Sequence, residues 1–184
     1  ALLSTAAYGH IADLLNLVEK GAEWPQGTAI ARAAFLEKDP EKKGDPMNVR
    51  ILLILNTLYR RWASARLAAL RPWIAGWSLP AIYAGAAPQG AEDAWLDLAI
   101  DMEDLKLRAI EFCGGTIDIA KFFDQVSRIL VEVLARQAGM PEKVLSAYVR
   151  YQESLAIYNT IAGGLGIKYR NCLLYTSDAA DELC

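Results

Sequence analysis

A chain of 184 residues that is 54% hydrophobic and 22% charged has enough apolar content to bury a core as one globular unit. Charges interrupt every apolar run, so no stretch reaches the length of a membrane-spanning helix, and the N-terminal ALLSTAAYGH lacks the basic region and cleavage site of a signal peptide. The formal net charge is −3, and without residues 172–184 the balance is neutral, which neither demands nor forbids a nucleic-acid partner; only local placement of charge speaks to that.

The chain starts without Met and reads as one already in progress. At its other end the string CLLYTSDAADE, Cys172 to Glu182, resembles an in-frame translation of a transposase-type sequencing adapter. Residues 172–184 are therefore set apart from fold reasoning, the alternative being a natural acidic tail. Asp178, Asp181 and Glu182 leave with that segment, which brings the acidic residues level with the 19 Lys and Arg. Cys172 and Cys184 leave too, and Cys113 by itself supports neither a disulfide framework nor a cysteine-rich zinc site. This agrees with an intracellular location, nucleus or cytoplasm.

Taken in chain order, Ile11, Leu14, Leu15 and Val18 recur at helical spacing, and Gly21 and Pro25 close that helix. Residues 29–37 are short and apolar, as a strand requires. Residues 38–48 form a charged loop with two prolines and a glycine. The run VRILLIL, 49–55, suits a buried strand, so the two strands predict a hairpin. A helix follows over 56–71, ended by Pro72, and residues 76–90 are irregular. Another helix, 91–109, puts Trp95, Leu98, Met102 and Leu105 on one face. Glu92 and Asp93 open it, and Lys106 and Arg108 close it, as its dipole favours. Then FCGGTIDI, 112–119, reads as a strand weakened by Gly114 and Gly115. Val126, Ile129, Leu130, Val133 and Leu134 form a helix face stopped by Gly139. Pro141 starts a further helix with Val144, Leu145, Tyr148 and Leu155 inward. AIYNT and GIKYR flank a glycine turn and predict a second hairpin. The class is mixed α/β.

Chemistry concentrates in TIDIAKFFDQV, 116–126. Asp118 stands between two isoleucines at the end of the expected strand, where a carboxylate is costly without a hydrogen bond, cation or metal. Ligands also favour the C-terminal ends of strands in open α/β sheets. Capping of the following helix is the alternative for Asp118. His10 is the sole histidine, which excludes Ser-His-Asp and HExxH schemes within the chain. GGLG, 163–166, has no GxxxxGK[ST] register and reads as a hairpin turn. Trp62 and Trp95 lie on helical faces and read as core. Arg60, Arg61, Arg66 and Arg71 share one expected helix, as a solvated face or as a track for phosphates.

The pattern D-x-x-x-x-F-D from Asp118 to Asp124 is similar to the first catalytic palm motif of reverse transcriptases. Upstream, residues 49–67 resemble the fingers segment of non-LTR retroelement and group II intron enzymes, where R-P-I-x-L-L-N-x-x-Y-[KR] recurs. Arg50, Leu55, Asn56, Tyr59 and Arg60 match it, with Ile51 in place of the usual proline. QGAEDAWLDL, 89–98, is similar to the segment before the palm in which an Asp such as Asp93 follows a Gly/Ser-rich turn. The resemblance covers about 25–171.

It implies an incomplete right-hand polymerase. Residues 1–24 are an N-terminal helix, 25–90 a fingers-like segment, and 91–171 the start of the palm. It also implies RNA-directed DNA synthesis by two-metal nucleotidyl transfer, with two Mg²⁺ about 4 Å apart. Its partners are an RNA template, a DNA primer and dNTPs, with no membrane. Asp118 is the bridging carboxylate and the Ile119 carbonyl a further metal ligand. Phe123 is the steric gate against a 2′-OH, and Lys38 and Arg50 clamp the incoming triphosphate. Asp124 reads as a helix N-cap or a support for the fold. The later P-Q-G and paired-Asp motifs of the family do not occur here, so the chain alone is expected to be inactive. Rival readings are an RNA-dependent RNA polymerase, disfavoured by Phe123 where those enzymes place a second Asp, and a catalytically dead remnant or nucleic-acid-binding module.

Overall fold

The structure is a computed structural model that describes residues 3–42, 44–45, 48–85, 90–119, 126–161 and 164–170. The chain divides into two compact units, Ala1–Arg66 with Lys121–Cys184, and Leu67–Ala120. The first holds one four-stranded mixed sheet with helices on one face; the second is helical among its described residues.

Helix α1, Thr5–Glu19, starts where the Ser4 side chain accepts a hydrogen bond from the Ala7 backbone N–H at 3.2 Å. Such a cap satisfies one of the orphan donors of a first turn. Beyond its end Gly21 takes a φ of +115°, a conformation open to a residue without Cβ. Of the expected apolar stripe, Val18 is fully buried and Leu15 packs beside it, whereas Leu14 stays exposed.

Both expected hairpins form. Strand β1, Ile30–Glu37, pairs antiparallel with β2, Val49–Ile54, and β3, Ala156–Ile161, pairs antiparallel with β4, Gly164–Tyr169. What joins them is a parallel β1–β3 ladder running from Ile30↔Ala156 to Ala34↔Thr160, giving the order β2-β1-β3-β4. A parallel pair needs a long crossover, here the whole chain between β2 and β3.

Helix α2 spans Thr57–Trp77, so the expected stop at Pro72 is corrected: the helix continues through it. A proline there removes the bond to the carbonyl four residues back. Pro72 and Ala68 are both exposed, so solvent can satisfy that carbonyl. The second unit contributes α3, Ala91–Leu107, and the first continues with α4, Arg128–Gln137, and α5, Glu142–Ser154. Val126 precedes α4 rather than belonging to it, and Gly139 closes α4 at φ +74°. Two arginines bind the ends of neighbouring helices. Arg150 donates to the Val18 carbonyl in the last turn of α1, and Arg128 to the Gln152 carbonyl in the last turn of α5. Cations suit these C-terminal ends because carbonyls point outward there.

The core lies between the sheet and α1, α2 and α5. Ala31, Ala33, Leu53 and Ile157 line the sheet side, and Val18, Trp24, Tyr59, Trp62, Ala147 and Tyr151 face them. Small residues on β1 leave room for the rings. Trp24 meets Tyr59, Trp62 and Tyr151 edge-on at 5.3–5.5 Å between centroids. Its indole N–H donates to the Ala147 carbonyl at 2.9 Å, so its polar atom is paired inside the core. Trp62 donates to Glu19 at 2.7 Å, and the same carboxylate oxygen receives the Arg66 Nε–H.

At the start of α3 the Asp93 carboxylate accepts from the Gly90 N–H at 2.7 Å, and the Tyr83 hydroxyl donates to Asp97 at 2.6 Å. Two expectations fail in this second unit. Trp95, read as core, is 74% exposed. Residues 112–119, read as a strand, are irregular. A strand exists only with a ladder partner, and among the described residues this segment has none. Gly114 and Gly115 add backbone entropy that nothing offsets. Asp118 thus lies on an exposed irregular stretch instead of a strand end.

Candidate functional site

The β1–β2 hairpin places the first two candidate residues. Leu36 and Arg50 are direct cross-strand partners and share a face of the ladder. The pairing extends one step further, with the Lys38 N–H donating to the Asn48 carbonyl at 2.9 Å. Lys38, two residues after Leu36, therefore falls on the face of Arg50. Both are exposed.

The loop that holds this end is locked by Asn48, 7% exposed. Its amide nitrogen donates to the carbonyls of Asp39 at 2.6 Å and Lys42 at 3.0 Å. Its amide oxygen accepts from the Asp39 N–H at 3.1 Å. One side chain thus supplies three of the loop's backbone bonds, and Asp39 adds another by accepting from the Glu41 N–H at 3.0 Å. A charged loop with an asparagine at its end is the only sequence signal for this, and no spacing rule singles Asn48 out.

The same face continues across the sheet. Arg32 on β1 pairs with Ile54 on one side and Tyr158 on the other, and Tyr158 pairs with Lys168 on β4. Glu37 is the one carboxylate in the four strands, and it pairs with Val49 on the opposite face. Among the described residues the outward strand positions thus offer Arg32, Arg50 and Lys168, and no strand carboxylate shares their face. Sequence reasoning missed Arg32, Tyr158 and Lys168, because only the parallel β1–β3 pairing brings Arg32 beside the Tyr158↔Lys168 pair of the second hairpin.

Other motif residues have structural work. Asn56 accepts from the Leu58 N–H at 2.8 Å and its carbonyl accepts from the Arg60 N–H, which starts α2. Leu55 packs on the core and Tyr59 lies within it. Asp93 caps α3. The L-N-x-x-Y spacing is therefore accounted for by a cap followed by a buried ring.

Asp118 and Ile119 are exposed, and Ile119 is 52% accessible. They belong to the second unit and Lys38 and Arg50 to the first. Phe123 and Asp124 lie outside the described residues. Among the described residues no three His, Cys, Asp or Glu side chains gather as metal ligands. Asp118 offers one carboxylate, so the described residues do not by themselves fit a two-ion centre. His10 and Cys113 are both exposed. No helix among the described residues is long and apolar enough to cross a membrane.

The arrangement suits anion binding: exposed cations held on a hydrogen-bonded ladder present positive charge at fixed spacing to a ligand. No protein-family model matches the chain, and no curated protein is significantly similar to it.

Proposed function

We propose that this chain carries the fingers and the first palm motif of an RNA-directed DNA polymerase of the non-LTR retroelement or group II intron type. Such an enzyme transfers nucleotidyl groups from dNTPs to a primer paired with an RNA template. The observation that supports the reading is the placement of Lys38 and Arg50 on one face of the hairpin end, through the Leu36↔Arg50 pair and the Lys38–Asn48 bond. A triphosphate needs several cations held at fixed spacing, and an arginine fork beside a lysine provides that. Phe123 limits room for a 2′-OH in this reading. Mg²⁺ is the cofactor of the reaction class, and Asp118 with the Ile119 carbonyl contributes toward it. The described residues do not complete that centre, and the chain alone is proposed to be inactive.

Titration of the full chain with dTTP by calorimetry tests the basic pair. Lys38→Ala combined with Arg50→Ala should weaken binding at least tenfold, since each charge-assisted hydrogen bond is worth about 1.5–3 kcal/mol. Equal affinity in the double variant would remove the observation on which the reading rests. In a polymerase that includes this chain, Asp118→Asn should nearly abolish primer extension, and Phe123→Ala should admit ribonucleotides.

A second reading, a nucleic-acid-binding module without catalysis, is favoured by the exposed, irregular setting of Asp118. Full primer extension by the Asp118→Asn enzyme would exclude the catalytic assignment. Extension abolished by removal of that single charge would exclude the module.

A further inference from the structure

Ile54, Arg32, Tyr158 and Lys168 form one row across all four strands, each the direct cross-strand partner of the next. Arg32 and Lys168 are exposed, Tyr158 is half-buried, and Ile54 is 49% exposed. We propose that this row is a track for single-stranded nucleic acid, in which Tyr158 stacks on a base and Arg32 and Lys168 hold the phosphates on either side. It shares with the proposed polymerase only the class of partner, and it holds equally for a module without catalysis.

Three features of the face lead there. The charge of the row has one sign, with Arg32 and Lys168 outward and the single strand carboxylate, Glu37, on the other side of the sheet. A polyanion complements that. The ring also sits between the cations. Neighbouring strands run about 4.8 Å apart, so the Arg32 and Lys168 backbones are roughly 10 Å from each other with Tyr158 midway. A planar ring flanked by phosphate-binding groups matches a strand whose bases are unpaired and free to stack. Finally, Ile30, the next residue of β1 on the face of Arg32, is 44% exposed and gives apolar contact to a base or sugar. A duplex keeps its bases stacked inside and leaves the ring nothing to cover. An acidic polypeptide would engage the cations but make no use of a planar platform.

The probe is a fluorescein-labelled 12-mer oligo(U), followed by anisotropy with the full chain between 50 and 200 mM salt. Binding should fall with salt. Arg32→Ala with Lys168→Ala should weaken it at least tenfold at low salt and reduce the log–log salt slope by about 1.4, roughly 0.7 for each phosphate left without its cation. Tyr158→Leu should weaken binding about tenfold, while Tyr158→Phe, which keeps the ring, should leave it unchanged. A base-paired 12-mer should bind more weakly than the single strand. All three substituted residues lie on the outward face, and circular dichroism checks that each variant stays folded. Unchanged affinity in the double variant, or equal effects of Leu and Phe at 158, would overturn the track. Displacement of oligo(U) by an equal concentration of oligoglutamate would identify an acidic polypeptide as the ligand and overturn it too. Failure of the track with the Lys38–Arg50 effect on dTTP intact leaves the polymerase reading standing. The reverse result leaves the track without the polymerase.

Discussion

Tyr59 of α2 and Tyr151 of α5 stack face to face, with ring centroids 3.4 Å apart and planes 8° from parallel. Both rings are buried, and Trp24 meets each of them edge-on. Tyr59 belongs to the helix that leaves β2, and Tyr151 to the helix that leads into β3. The stack therefore ties together the two segments that bring β1 and β3 side by side. Truncating Tyr59→Ala or Tyr151→Ala should cost about 3–5 kcal/mol in urea unfolding, as for other large aromatic truncations. Tyr151→Phe should cost about 1 kcal/mol, because it removes only the hydroxyl bond to the Thr28 carbonyl.

The same rings set an alkaline limit. Burial pushes the hydroxyls of Tyr59 and Tyr151 above the ordinary 10.0, and that of Tyr148 up to about 12. The folded state holds these protons more tightly than the unfolded chain. The resulting stability is complete below pH 10 and is lost as pH rises toward the folded values. Each tyrosine should steepen the loss by about 1.4 kcal/mol per pH unit in that window. Urea midpoints at pH 9 and pH 11 measure it, and Tyr148→Phe should flatten the fall. Equal midpoints at the two pH values would contradict the burial argument.

Glu19 serves two donors from one oxygen, the Trp62 indole N–H and the Arg66 guanidinium, with its side chain 11% exposed. Glu19→Ala leaves a buried indole N–H unpaired and a partly buried cation without its carboxylate. A loss of about 2–3 kcal/mol should follow. Glu19→Gln keeps an acceptor and should cost about half as much. Thermal unfolding in low and high salt separates the two effects, since only the charged part responds to salt.

Asn48→Ala removes three hydrogen bonds to the hairpin loop and should cost about 2–3 kcal/mol. It also loosens the spacing of Lys38 and Arg50, so dTTP affinity should fall although neither cation is altered. Asn48→Asp keeps the acceptor to the Asp39 N–H but sets a carboxylate oxygen against the Asp39 and Lys42 carbonyls, and should cost at least as much as Ala. Wild-type nucleotide affinity in the Ala variant would show that the loop does not position the pair.

Helix α3 leaves Trp95, Leu98 and Met102 exposed at 74%, 53% and 43%. A continuous apolar ridge of this kind should bind a hydrophobic dye such as anilinonaphthalene sulfonate. Trp95→Ser with Leu98→Ser should reduce the dye signal markedly without lowering the unfolding midpoint of the first unit. An unchanged signal would place the dye elsewhere.

The local elements of the first unit are legible in runs of neighbouring residues. Helical spacing marked α1, α4 and α5, and apolar runs around a charged loop and a glycine turn marked both hairpins. These are properties of neighbours in the chain, set by side-chain period and by turn residues. Failures came where tertiary pairing decides. Nothing local says whether 112–119 will find a ladder partner, and among the described residues it has none. Nothing local tells that Pro72 faces solvent, where the missing bond is tolerable, or that Trp95 remains uncovered. The candidate site divides along the same line. The hairpin that carries Lys38 and Arg50 was legible from its apolar runs and charged loop, while their selection as a pair came from the family resemblance. Tyr158 and Lys168 pair through the β3–β4 hairpin, but Arg32 lies far from both in the chain and joins them only because β1 and β3 run parallel. Beneath that sheet Trp24, Tyr59 and Tyr151 pack together from three separate segments, an arrangement that no periodicity in the chain encodes.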